Sequence, residues 1–138
     1  MEINYIAVAV CAVLSMVVGF VWYGPLFGKK WMEIAGMDKE TEERRKEMMK
    51  DTPKLYVAQF LISLGQVYIL AHFIKGWSDV SGVESALWIW AGFVLPTVAA
   101  ASMWTADRKE VKWARFLIQG GYYLVLFVMF GYILGTWT

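Results

Sequence analysis

Four stretches of this chain each run for twenty residues or more without a formal charge, and nothing else in it limits the fold as strongly. They are Tyr5 to Phe27, Leu55 to Ile74, Ser85 to Ala106 and Phe116 to Thr138. An α-helix rises about 1.5 Å per residue, so about 20 residues cross a hydrocarbon core of about 30 Å. All four stretches are long enough. Inside lipid every backbone N–H and C=O must find its partner within the segment, which selects helix. A β-barrel would alternate apolar and polar residues, and these runs do not alternate. The chain is 59% hydrophobic, whereas water-soluble domains sit near about 45–50%. The expected fold is all-α: an integral membrane bundle of four transmembrane helices, with spans at about 5–27, 55–74, 85–106 and 116–136. Residues 28–54 form a loop, and 1–138 make a single membrane domain.

The charges between the spans give an orientation. Twelve of the thirteen Lys and Arg residues lie in two segments: Lys29 to Lys54 holds eight, and Arg108 to Arg115 holds four. Only Lys75 lies elsewhere. Basic residues concentrate in the cytoplasm. Loops 28–54 and 107–115 are therefore expected there, with both termini outside, in a multi-pass protein of the cell (inner or plasma) membrane. Trp22, Tyr23, Trp31, Trp104 and Trp113 suit one membrane interface, and Tyr5, Trp77, Trp88 and Trp137 the other. The first span has no basic segment before it and no small-residue cleavage pattern after it, so it reads as a retained helix rather than a signal peptide.

Asp38 to Lys50 reads DKETEERRKEMMK, with ten charged residues in thirteen. Glu40 with Arg44 and Glu42 with Lys46 stand four apart with the acid first, the better order for a helix. A short charged cytoplasmic helix is expected between the first two spans, with Thr52 capping the next helix and Pro53 at its first position. A solvated connector is preferred over a docking helix. Acids in the same loop balance its bases, so no nucleic-acid partner is expected.

Span two carries Gln59, Ser63 and Gln66 on one helix face. Gln59 is five residues from Lys54, Gln119 four from Arg115 and Ser102 five from Asp107, so these three sit at one depth. With Trp22 and Tyr23 beside them, they are candidates to line a neutral polar cavity on the cytoplasmic side. The plainer alternative is hydrogen bonding between helices, worth about 0.6 kcal/mol per bond. No Asp, Glu, Lys or Arg lies within a span, whereas pumps and proton-coupled transporters usually carry one. No nucleophile-base pair, metal cluster or intramembrane acid appears, so no enzyme activity is expected. His72 and Cys11 are single residues of their kinds, and no metal site or cofactor is expected.

Three helix breakers are read as hinges or kinks. Pro25 pushes Gly24 away from helical geometry, so the first span should break there. Pro96 interrupts span three and deprives the Gly92 carbonyl of its donor, with Thr97 placed to compensate. Ala7, Cys11, Ser15 and Gly19 make a small-residue stripe fit for packing within the bundle. Gly131 and Gly135 form a G-x-x-x-G pair suited equally to a neighbouring helix or to a second copy of the chain. Gly19-Phe20-Val21 and Gly92-Phe93-Val94 hint at a parallel repeat of two hairpins.

The stretch Gly19 to Met32, reading GFVWYGPLFGKKWM, stands out. With Ile3-Asn4-Tyr5, Gly92-Phe-Val-Leu-Pro96, Trp104 and Gly120-Gly121-Tyr122, it resembles the small bacterial membrane proteins known as domain of unknown function 1761. The resemblance covers nearly the whole chain and is weakest over Asp38–Lys50. It implies a four-helix membrane protein and no particular activity. The residues themselves suggest two roles. One is binding or transport of a small molecule in the polar cavity. The other is a structural or assembly role, as a homo-oligomer or as a subunit of a membrane complex. The lipid bilayer is the partner common to both.

Overall fold

The computed structural model describes residues 2–137. Helix α1 (Tyr5–Val21) runs into a π-helical turn, Trp22–Leu26, and the two make the first span. Two short helices follow, α2 (Gly28–Ile34) and α3 (Glu42–Met48), separated by a single 3-10 turn at Met37–Lys39. The second span is α4 (Thr52–Gly76). The third comprises α5 (Gly82–Ile89), a second π turn (Trp90–Val94) and α6 (Leu95–Met103). The fourth is α7 (Lys109–Thr136). The protein is an all-α integral membrane bundle, and no strand occurs among the described residues. Its outer surface is apolar: Ile6, Leu61, Ile62, Phe93 and Leu117 are all exposed. A surface like that suits lipid and is untenable in water.

Local chemistry accounts for the helix ends. Asn4 caps α1 by accepting from the Ala7 N–H at 3.1 Å, and its amide donates to the Trp137 carbonyl at 3.2 Å. One side chain thus ties the start of the first span to the end of the last. Ser81 accepts from the Glu84 N–H at 3.1 Å to start α5, in the Ser-x-x-Glu spacing of a capping box. The charged loop does hold a short helix, α3, capped by Thr41. Its internal pairing differs from expectation. Glu40 lies before the helix, and Arg44 faces Glu47 at 3.8 Å. Arg45 folds back to the carbonyls of Met37 at 2.7 Å and Asp38 at 2.9 Å, bracing the connector. Asp51, not Thr52, precedes α4, so Pro53 sits at the second helical position.

Spans three and four begin earlier than the uncharged stretches do. Gly82 and Glu84 belong to α5, and the first turns of α7 carry Lys109, Lys112 and Arg115. The sequence bounds mark where charge stops, whereas a helix runs on into the interface.

Helix α7 is the centre of the bundle and packs against α1, α4, α5 and α6. Its Leu126, Phe127, Phe130 and Leu134 form the core with Ala7 and Cys11 of α1 and Val67 and Leu70 of α4. The α5–α7 contact is the most extensive, and glycine explains it. A Cβ on Gly131 would stand 2.6 Å from the Gly82 carbonyl oxygen and 2.9 Å from the Ala86 Cβ. A Cβ on Gly135 would meet the Gly82 Cα at 2.9 Å. Gly131 is buried in this contact against Gly82 and Ala86, while Gly135 touches Gly82 and stays exposed near the end of α7. The stripe on α1 is internal: Ala7, Cys11 and Ser15 are all buried.

Neither proline produces a simple break. In the first span a π turn absorbs Pro25, and the Phe27 N–H closes on the Trp22 carbonyl at 2.9 Å. The break comes at Phe27 (φ −121°, ψ 9°), after which α2 starts. Gly28 is required at that point, because a Cβ there would lie 2.8 Å from the Tyr23 carbonyl oxygen. In span three the π turn precedes Pro96, and the Thr97 hydroxyl donates to Phe93, at 2.6 Å, rather than to Gly92. The internal likeness of spans one and three therefore has a different register. Trp22-Tyr23-Gly24 and Trp90-Ala91-Gly92 open the two π turns, while Gly19-Phe20 lies in α1.

Replacing Gly131 with Val is expected to lower unfolding stability by about 1–3 kcal/mol, the scale of overpacking in a filled core. Gly65, which has open space where a Cβ would stand, is expected to tolerate Ala without loss. Reversible unfolding in mixed detergent micelles measures both.

Candidate functional site

Near the end of the bundle that carries α2 and α3, a cavity of about 450 Å³ opens among α1, α4 and α7. Three helix faces build it. From the first span come Ser15 and Gly19 in successive turns, then Tyr23 and Gly24 in the π turn. Helix α4 contributes Tyr56 and Gln59, three residues apart, and α7 contributes Gln119, Tyr122 and Tyr123 at i, i+3 and i+4. Spacings of three and four put side chains on one helix face, so each helix presents its polar groups together.

The polar groups are neutral amides and hydroxyls. Gln59 donates to the Ser63 hydroxyl at 3.4 Å, one turn along α4. Among the described residues, no hydrogen bond engages the Gln119 amide or the hydroxyls of Tyr23, Tyr122 and Tyr123. The Tyr122 hydroxyl lies over Gly19, 3.3 Å from where a Cβ would stand. No Asp, Glu, Lys, Arg or His lines the cavity. Among the described residues no three His, Cys, Asp or Glu side chains gather closely enough to hold a metal ion.

The aromatic walls are interlocked. Tyr23 meets Tyr122 edge to face at 5.2 Å and Trp31 at 4.9 Å, and Tyr122 meets Tyr123 at 5.1 Å. Such pairs are worth about 0.5–1.5 kcal/mol beyond the area they bury. Phe20 and Tyr56, 5.0 Å apart, link α1 to α4 at the lipid-facing side. Behind the wall, Arg115 of α7 donates to Asp107 at 2.9 Å, and its guanidinium lies 5.9 Å from the Trp31 ring centre. That cation fixes α2 against α7 and so holds Trp31 against Tyr23.

Of the residues singled out in the sequence, Gln59, Gln119, Tyr23 and Gly24 meet at this cavity. Ser63 is buried behind Gln59 as its hydrogen-bond partner. Gln66 lies outside the lining, two turns further along α4. Ser102 belongs to a different groove, between α6 and α7. Equal depth did not bring it to Gln59, because α6, which carries Ser102, packs on α7 and makes no extensive contact with α4. Trp22 braces the wall from outside. Its indole N–H donates to the Ile118 carbonyl at 2.9 Å, and its ring sits over Gly121, 3.2 Å from where a Cβ would stand. Trp90 at the head of the second π turn does the same two residues along, donating to the Gly120 carbonyl at 3.2 Å. Both π turns are thus pinned to α7 by a tryptophan. Pro96 lies beyond the second of them and does not line the cavity.

Sequence reasoning missed Tyr56, Tyr122, Tyr123 and Ser15 as lining residues. The signal was present in part: Tyr122 and Tyr123 follow Gln119 at helical spacing, and Tyr56 precedes Gln59 by three.

Trp22→Phe removes the donor to Ile118 and keeps most of the ring. Its expected cost is about 1 kcal/mol of unfolding stability, within the range of single hydrogen bonds between membrane helices. Trp137→Phe, whose ring makes no such bond, should cost less in the same detergent titration.

The chain matches, over residues 6–135, the family described as Protein of unknown function (DUF1761). No curated protein and no solved structure matches it. The match covers nearly the whole chain, takes in all four spans, and agrees with the resemblance carried by the Gly19–Met32 stretch: the protein belongs to the DUF1761 family of unknown function.

Proposed function

We propose that this protein binds a small neutral molecule in the cavity among α1, α4 and α7, as a binding or transport module of the cell membrane. One observation carries the reading. The Gln119 amide and three tyrosine hydroxyls border a cavity of about 450 Å³ without hydrogen-bonding to one another or to another described residue. These groups are reachable from the cavity rather than sealed inside the protein, so an occupant can hydrogen-bond to them. The absence of formal charge on the lining selects a neutral partner, since an ion there would go uncompensated. The aromatic walls favour a flat or apolar body with hydrogen-bonding groups at its edge. Gly24, in the π turn at the cavity's end with open space where a Cβ would stand, leaves that end of the cavity unobstructed. Single-turn π segments often mark functional positions in helices.

The charge distribution supports the orientation. Loops 28–54 and 107–115 are proposed to be cytoplasmic and both termini external, which opens the cavity towards the cytoplasm. Labelling of intact cells with a membrane-impermeant maleimide tests this, in a Cys11→Ala background. Asp79→Cys is expected to react and Lys46→Cys to stay unlabelled until the cells are broken. The reverse pattern inverts the topology.

Binding is tested by native mass spectrometry of protein extracted with its surrounding membrane. The wild-type chain is expected to retain a neutral species that Gln59→Leu with Gln119→Leu releases. Each amide lost should weaken retention by about tenfold, the scale of an unpaired buried hydrogen bond. Identical spectra for the two proteins would overturn the reading.

A further inference from the structure

A second depression, of about 350 Å³, lies between the last turns of α6 and the first two turns of α7. Its wall is apolar, made by Ala99 and Met103 of α6 and by Trp113 and Phe116 of α7. The Trp113 and Phe116 rings meet edge to face at 6.0 Å and keep that wall in shape. At its rim stand Lys109 and Lys112, three residues apart and so on one face of α7. Among the described residues neither lysine is paired with a carboxylate. Ser102 also borders the groove. It is 2% exposed, and its hydroxyl has no hydrogen-bond partner among the described residues.

We infer that this groove is a binding site for an anionic phospholipid. The acyl chain lies against Ala99, Met103, Trp113 and Phe116, and the phosphate sits between Lys109 and Lys112. Three independent features ask for different parts of one molecule. The apolar wall asks for hydrocarbon. The two uncompensated ammonium groups ask for a net negative charge at the membrane surface, where each basic residue strengthens attraction to anionic lipid. The buried Ser102 hydroxyl asks for an acceptor, because a hydroxyl out of water without a partner is costly. Ester and phosphate oxygens supply one. Free phosphate leaves the apolar wall without a partner, and a zwitterionic lipid brings no net charge to the lysines. The site is separate from the cavity among α1, α4 and α7, so the Gln59→Leu, Gln119→Leu protein is expected to keep it.

Native mass spectrometry of the full chain, in detergent containing equal amounts of phosphatidylglycerol and phosphatidylcholine with identical acyl chains, tests the assignment. The wild-type protein should retain phosphatidylglycerol over phosphatidylcholine by about tenfold or more, the scale expected of two basic residues at an anionic surface. Lys109→Gln with Lys112→Gln should bring the ratio close to one, and Lys109→Arg with Lys112→Arg should restore it. Lys50→Gln with Lys54→Gln makes the same change in charge elsewhere and should leave the ratio alone. Equal loss from that control pair would mean that general surface charge is responsible, and would overturn the site. Displacement of the lipid by millimolar inorganic phosphate would reassign it to the free anion, and no preference in the wild-type protein would dismiss it.

Discussion

Everything in this bundle depends on how closely α5 can approach α7. In lipid the hydrophobic effect does not press helices together, because their surroundings are as apolar as they are. What remains is van der Waals contact, and its strength depends on how near the backbones come. Gly82 and Ala86 on one side, with Gly131 and Gly135 on the other, let two helices meet almost backbone to backbone. That contact seats span three on α7 and leaves the opposite side of α7 to α1 and α4. The cavity exists because α7 is shared in this way. It supplies Gln119, Tyr122 and Tyr123 to a space whose other walls come from α1 and α4.

The two π turns extend the same logic. Each begins at a tryptophan whose indole N–H reaches a carbonyl on α7, Ile118 in one case and Gly120 in the other. The carbonyls are two residues apart; the missing side chain at Gly121 admits the Trp22 ring, and that at Gly120 admits Leu95. A wider turn around Pro25 and before Pro96 takes up the strain that proline would put on an α-helix. The bonds to α7 then fix where each turn lies. Spans one and three are thus handled alike at Trp22 and Trp90, five residues out of register with their matching Gly-Phe-Val tracts.

The architecture was legible because the membrane imposes it. Uncharged runs long enough to cross lipid can only be helices, and the structure has four helices of that length and apolarity. The meeting of Gln59 with Gln119 followed from depth alone. Depth is only one coordinate, however. Ser102 lies at a similar distance from its helix end, yet it borders the α6–α7 groove because rotation about the bundle axis depends on which helices touch. The roles of Trp22 and Arg115 were out of reach for the same reason. A hydrogen bond from Trp22 to a carbonyl ninety-six residues away, or a guanidinium over Trp31, leaves no periodic mark on the sequence. The glycine pair in α7 was visible as a close-packing motif. Its partner, Gly82-x-x-x-Ala86, was overlooked because Gly82 lay outside the stretch defined by missing charge.

The central claim is that Gln59 and Gln119 face one space while Ser102 does not. Pairwise cross-linking in native membranes tests it most directly, with Cys11→Ala as background. A short bis-maleimide is expected to join Gln59→Cys to Gln119→Cys within one chain, and to leave Gln59→Cys with Ser102→Cys unlinked. A link in the Gln59→Cys, Ser102→Cys protein would contradict this packing of α4 and α6 about α7. So would failure of the Gln59→Cys, Gln119→Cys pair to link while both cysteines still react with a monofunctional maleimide.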